Sequence, residues 1–167
     1  PNREFAIIGY ENKGILENFV IYLRSNFYIG GEGALGFVNC TNGIIRNGYV
    51  TSYPRKDYSI KPINCTSDRD INIAVLSAIT EGSEISNVYS LVKVNNEDEE
   101  TGNNPNVRIN GGNVLAKIEH TEVSNIYSVG MGNITEENSL DYTVGPTISY
   151  PYSAEDGNNI SNSYFFY

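Results

Sequence analysis

Apolar and polar positions alternate over short stretches along the chain, and five of these stretches share one design. In residues 43–51, GIIRNGYVT, a turn residue leads into an alternating run with Asn47 at its centre. The arrangement returns at 14–20 (GILENFV), 83–89 (SEISNVY), 121–127 (TEVSNIY) and 158–164 (NNISNSY). The central asparagines, Asn18, Asn47, Asn87, Asn125 and Asn162, lie 29, 40, 38 and 37 residues apart. Those intervals are solenoid and propeller periods, and their inequality implies loops of different length. In a strand, side chains alternate between two faces. Positions two before, at, two after and four after each asparagine therefore share a face: Leu16, Asn18, Val20 and Tyr22 in the first copy, Ile85, Asn87, Tyr89 and Leu91 in the third. The position before the asparagine is Glu17, Arg46, Ser86, Ser124 or Ser161, polar every time and assigned to solvent. A helical period does not fit.

A second apolar run precedes most copies: residues 5–8, 34–38, 73–76 and 114–116. One such unit cannot bury its own apolar face, whereas stacked units share a continuous core. The expected fold is all-β, a right-handed parallel β-helix of about five coils with long loops, occupying residues 1–167 as a single repeat domain. The five asparagines are expected to point inward and stack, with their amides bonded from coil to coil. The alternative places each in a left-handed corner at which the alternation breaks.

The run of small apolar residues, Asn-x-Gly, then x-Ile-x-Asn-x-Tyr resembles the glycine-rich repeat called the GLUG motif. Residues 34–51, ALGFVNCTNGIIRNGYVT, carry the nearest likeness and residues 5–20 the next, while 73–89 and 114–127 have lost the glycines. The resemblance implies a non-catalytic repeat region of a bacterial surface protein or of a secreted Gram-positive immunoglobulin A metalloprotease. In that setting the region positions substrate or the catalytic domain, and the parent protein is a zinc metalloprotease. Its partners would be neighbouring domains of the parent chain and a host protein such as immunoglobulin A, and its location secreted or attached to the cell wall. A surface adhesin is the alternative parent, and a carbohydrate-active β-helix a third reading. The chain starts at Pro1 and ends inside its own pattern at Tyr167, which reads as a fragment of a larger secreted protein.

Composition agrees with strands and close turns: thirteen Tyr, sixteen Gly, one Met and no Trp. A net charge of -9 speaks against nucleic acid and against an anionic membrane surface, both of which need clustered Lys and Arg. No run is long and apolar enough for a membrane helix.

Candidate chemistry is sparse. Residues 29–33, IGGEG, lack the Lys and Ser/Thr of a phosphate loop. The excursion 52–70 gathers Tyr53, Arg55, Lys56, Tyr58, Lys61 and Arg69, a possible recognition loop, with Pro54 and Pro62 excluding a central strand through it. A second excursion, 94–110, holds Glu97, Asp98, Glu99 and Glu100 at spacings that do not make a calcium loop. Cys40 and Cys65 stand in similar Asn-Cys-Thr contexts, either as a disulfide of an exported protein or as two small buried hydrophobes. His120 is the only histidine, so neither a metalloprotease helix motif nor a closed zinc site can be assembled. The carboxylates Asp68, Asp70, Glu81, Glu84, Glu119 and Glu122 are the candidates for acid–base work, without a basic residue in register with them. No catalytic, cofactor or metal residues are assigned, and the fragment is expected to need no cofactor and to be no enzyme by itself.

Overall fold

The computed structural model describes residues 5–29, 34–52, 58–62, 71–95, 109–129, 142–145 and 157–166. Among them there is no helix: they are all-β, in sheets of parallel strands consistent with a β-helix-like class. The strands, in chain order, are β1 (Phe5–Asn12), β2 (Ile15–Leu23), β3 (Phe27–Ile29), β4 (Ala34–Thr41), β5 (Ile44–Ser52), β6 (Ile60–Pro62), β7 (Ile71–Ala74) and β8 (Ser77–Glu81). They continue as β9 (Glu84–Ser90), β10 (Ile109–Gly112), β11 (Leu115–Glu119), β12 (Glu122–Val129), β13 (Tyr142–Gly145) and β14 (Asn159–Phe166). Every strand pairing among the described residues is parallel.

The asparagine-centred segments form one five-stranded sheet in the order β14-β12-β9-β5-β2. Their registers match copy for copy: Ile45 opposes Leu16 and Ile85, and Tyr127 opposes Tyr89 and Tyr164. The preceding apolar runs form a second sheet, β11-β8-β4-β7-β10-β13, with β1 also on β4. Here one expectation is refined. The run 73–76 is not a single strand, because the chain bends at Val75 and Leu76 between β7 and β8, and bends again at Asn113 and Val114 between β10 and β11. Strand β4 covers both halves, pairing with β7 at its start and with β8 further on. At the second bend a side chain on Gly112 would collide with the Leu115 carbonyl, so the turn needs glycine. Short strands β3 and β6, extended by a bridge from Ile60 to Val94, make a third parallel stack.

Apolar side chains from the sheets meet inside in two main clusters. One contains Val38, Ile45, Leu76, Ile85, Val88, Leu115, Val123 and Ile126, and the other contains Leu23, Phe37, Val50, Ile60, Ile71, Ile73, Val92 and Val94. Full burial of each such side chain stabilises by roughly 1.5–3 kcal/mol before the entropy of ordering is subtracted.

The asparagines do not point inward. Asn18, Asn47, Asn87 and Asn162 are exposed and Asn125 is half-buried. All five have left-handed backbone, with φ of 55, 54, 53, 52 and 48° in chain order. A left-handed residue reverses the local turn of the strand and slips the alternation by one position. Asn tolerates this geometry better than other side-chain-bearing residues, because its short amide bonds locally. The inner face is therefore set by the positions two before, one after and three after the asparagine: Ile45, Gly48 and Val50 in β5; Ile85, Val88 and Ser90 in β9; Val123, Ile126 and Ser128 in β12. The tyrosines two after the asparagine, assigned to the core by simple alternation, lie on the outer side.

Candidate interaction face

The outer surface of the five-stranded sheet is built from columns, each holding one side chain per strand, with strands about 4.8 Å apart. The asparagine column is bonded from Asn47 through to Asn162. Asn87 Nδ2 donates to Asn47 Oδ1 at 3.1 Å, Asn125 Nδ2 to Asn87 Oδ1 at 3.0 Å, and Asn162 Nδ2 to Asn125 Oδ1 at 3.2 Å.

Two residues further along each strand runs a column of one valine and four tyrosines, Val20, Tyr49, Tyr89, Tyr127 and Tyr164. The Tyr49 and Tyr89 rings stack with centroids 4.8 Å apart and planes 2° from parallel, and Tyr127 and Tyr164 stack at 5.6 Å and 11°. Tyr22, one further column out, meets Tyr49 edge-on at 6.4 Å, with the two hydroxyls 3.2 Å apart. That hydrogen bond is the main reason the Tyr49 phenol is held above its ordinary pKa, with desolvation and the nearby phenols of Tyr22 and Tyr89 adding to it. Tyr22 is in register with Thr51, and Tyr22, Leu91 and Val129 are exposed. Stacked rings hide their faces against one another and show edges and hydroxyls. The result is an amphipathic stripe suited to a partner surface that offers apolar contact together with hydrogen-bonding groups.

On the other side of the asparagines the surface is polar and acidic. Arg46 pairs with Glu17 through Nε and Nη2, each 2.7 Å from Oε2. Both side chains are about two-fifths exposed, so the pair contributes at most about 1 kcal/mol. Farther along the column stand Ser86, Ser124 and Ser161. Glu84 and Glu122 are in register three residues before their asparagines, and Glu81 and Glu119 are in register on the other flank of the same corner. These four acids, singled out for acid–base chemistry, repeat along the stack and do not converge on one point. Lys117 forms an ion pair with Glu119. Asp68 and Asp70 lie outside the described residues.

His120 is exposed and has left-handed backbone, with φ of 48°. It belongs to a second left-handed column with Asn42 (52°), Gly82 (56°) and Gly157 (68°), the corner that leads from the second sheet into the asparagine-centred strands. Its ring lies over Gly157, where an added side chain would meet Cδ2 at 2.8 Å. The next residue of each coil, Gly43, Ser83, Thr121 or Asn158, is buried and secures the corner. Gly43 N–H donates to Ser83 Oγ at 3.2 Å, Thr121 N–H to Asn158 Oδ1 at 3.1 Å, and Thr121 Oγ1 to the carbonyls of Thr80 and Glu119. Sequence reasoning missed this inner polar column. Its signal was the turn residue opening every copy.

No family model, curated protein or solved structure matches the chain.

Of the proposed recognition loop, Tyr53, Arg55, Lys56 and Arg69 lie outside the described residues. Tyr58 is half-buried and packs against the core. Lys61 is half-buried in β6, in register with Tyr28. Cys40 sits in β4, in register with Asn12 and Thr80, while Cys65 falls outside the described residues. Among the described residues no group of three or more His, Cys, Asp or Glu side chains is arranged to hold a metal ion.

Proposed function

We propose that this chain is a non-catalytic binding and positioning module: a right-handed parallel β-helix of about five coils whose outer tyrosine face holds a protein partner. The carrying observation is that the outer side chains are ordered by repetition. Tyr49 and Tyr89 stack within 4.8 Å, and the asparagine amides are bonded from coil to coil. Catalysis needs unlike groups converging on one reacting atom. A stripe of like groups on a rigid scaffold offers a large contact area with little conformational entropy to lose, and tyrosine suits it through its two-sided character and few rotatable bonds. The resemblance to GLUG repeats supports placing the module in a secreted or wall-attached bacterial protein. There it would act as the accessory region of an immunoglobulin A metalloprotease, facing the neighbouring domains or the immunoglobulin.

The test is to measure binding of the chain to immobilised immunoglobulin A, with cleavage assayed in parallel with and without zinc and calcium. Binding without turnover is expected, weakened about tenfold or more by Tyr89→Ala, as for an aromatic anchor near the centre of an interface. Cleavage abolished by His120→Ala would overturn the non-catalytic reading. Binding untouched by Tyr49→Ala and Tyr89→Ala would remove the tyrosine face from it.

A further inference from the structure

Parallel, in-register pairing of β5 with β9 sets like residues side by side, and at one level both are tyrosines. Tyr49 and Tyr89 are 40 residues apart in the chain. Their rings nevertheless stack with centroids 4.8 Å apart and planes 2° from parallel. Side chains that leave parallel strands at the same level and stack this way lie hydroxyl beside hydroxyl and ortho carbon beside ortho carbon. The outer edges of both rings face solvent, Tyr89 being exposed and Tyr49 half-buried. A third phenol joins them from β2. Tyr22 is 55% exposed, more than either, and its hydroxyl is 3.2 Å from that of Tyr49. Tyr127 and Tyr164 stack less closely, at 5.6 Å and 11°.

Two phenols held side by side can undergo a reaction closed to a lone tyrosine, oxidative coupling of one ring to the other. We propose that Tyr49 and Tyr89 are a covalent cross-linking site, joined Cε to Cε as dityrosine by hydrogen peroxide acting through a haem peroxidase, with Tyr22 as the residue where oxidation enters. Each of the two coupling phenols gives up one electron and its hydroxyl proton to become a phenoxyl radical, with part of its unpaired spin at the carbons ortho to oxygen. The radicals pair in one carbon–carbon bond. Each joined carbon then releases its hydrogen as a proton while the ring oxygen takes one up. Two tyrosines and one hydrogen peroxide thus give one dityrosine and two waters.

The geometry favours each stage. A radical formed first on Tyr22 passes to Tyr49 when one hydrogen atom crosses between the two hydroxyls, and Tyr22 regains its O–H. The stack turns the meeting of two scarce radicals into a local event. The rings can close from stacking distance to a bond by turning about their side-chain torsions, because the core beside them is filled by Gly48, Val50, Val88 and Ser90 and not by the tyrosines. The product would tie β5 to β9 and close a 40-residue stretch of chain that includes the basic excursion 52–70. Such a link stabilises mainly by restricting the unfolded chain. The site stands on ring geometry and not on the identity of a partner for the tyrosine face.

The test is to treat the chain with a haem peroxidase and hydrogen peroxide over a protein concentration series, following dityrosine fluorescence and mapping linked peptides by mass. The expected product is a monomer two hydrogens lighter, with the peptides of Tyr49 and Tyr89 joined, formed at a rate independent of protein concentration. Tyr49→Phe and Tyr89→Phe keep a ring in the stack and should each abolish that linked peptide, and Tyr22→Phe should slow its formation severalfold. The same treatment in urea should lose the linked peptide, and the isolated cross-linked monomer should unfold at a urea midpoint higher by roughly 1–2 M. Oxidation of other tyrosines without a 49–89 link, linkage only between chains, or equal yield from the unfolded chain would overturn the proposal. An unchanged rate in Tyr22→Phe would remove Tyr22 as the point of entry.

Discussion

Replacing Asn87 separates the two tasks performed by the asparagine column. Asn87 donates to Asn47 at 3.1 Å, accepts from Asn125 at 3.0 Å, and holds φ at 53°. Asn87→Ala removes both amide bonds, each contributing about 0.5–1 kcal/mol at an exposed site. It also places an ordinary side chain in left-handed backbone, at about 1–2 kcal/mol, part of which asparagine escapes. The expected loss is about 2–3 kcal/mol. Asn87→Gly loses the same bonds but enters the left-handed region freely, offset by the greater entropy of a glycine in the unfolded chain, and should end within about 1 kcal/mol of the unaltered protein. Asn18→Ala supplies the control, because Asn18 has the left-handed backbone without a ladder bond, so it should cost about 1–2 kcal/mol less than Asn87→Ala. Urea unfolding reads all three. With a slope of about 2 kcal/mol per molar, Asn87→Ala lowers the midpoint by roughly 1–1.5 M and Asn87→Gly by under half that, with slopes unchanged. Equal losses for alanine and glycine at 87 would refute the backbone argument, and equal losses for alanine at 87 and 18 would refute the amide argument.

Gly48 lies under the Phe19 ring, which occupies the place a side chain there would take. Gly48→Ala should cost about 1–3 kcal/mol by overpacking, and the Phe19→Ala, Gly48→Ala double variant should lose less than the sum of the single losses, whereas additive losses would show that the two do not touch. The raised pKa of Tyr49 means that its neutral phenol is favoured in the folded chain. That contribution is complete below the ordinary phenol value near 10 and is lost as pH rises through the higher folded value. Tyrosinate absorbance titration of the unaltered chain against Tyr49→Phe should therefore place Tyr49 above the ordinary value, and Tyr22→Phe should bring it down; a Tyr49 midpoint at or below the ordinary value would contradict the Tyr22 bond.

Much of the architecture could be read from residue spacing. The intervals between asparagines match the coil-to-coil separations of the ladder, 40, 38 and 37 residues, because in-register parallel stacking makes the sequence period and the spatial repeat the same quantity. The one-residue slip at the asparagine was harder to see. Alternation assigned Tyr49 and Tyr89 inward, yet Val88 and Ile126, one after the asparagine, are fully apolar, whereas tyrosine has a polar tip that suits the surface. Those residues favoured the left-handed corner all along. The second corner was legible at Asn42, Gly82 and Gly157, residue types that tolerate positive φ, but His120 in the same column hid it. A run of basic side chains at residues 52–70 stands out in sequence, whereas the recurring tyrosines look like core.

The slip also ties the scaffold to its outer tyrosine column. A strand with unbroken alternation would bury the residue two after the asparagine, and the aromatic column would be spent inside. The left-handed residue moves that position outside and puts Gly48, Val88 or Ile126 within, so one backbone irregularity per coil both fixes register against slippage and creates the stripe. Specificity along such a stripe must come from the places where the coils differ. Val20 replaces tyrosine in the first coil, Thr51 stands in register with Tyr22, and the Glu17–Arg46 pair gives way to Ser86, Ser124 and Ser161. A partner that binds this face therefore meets a charged end and a neutral end, and the order of those ends fixes the direction in which it lies along the stack.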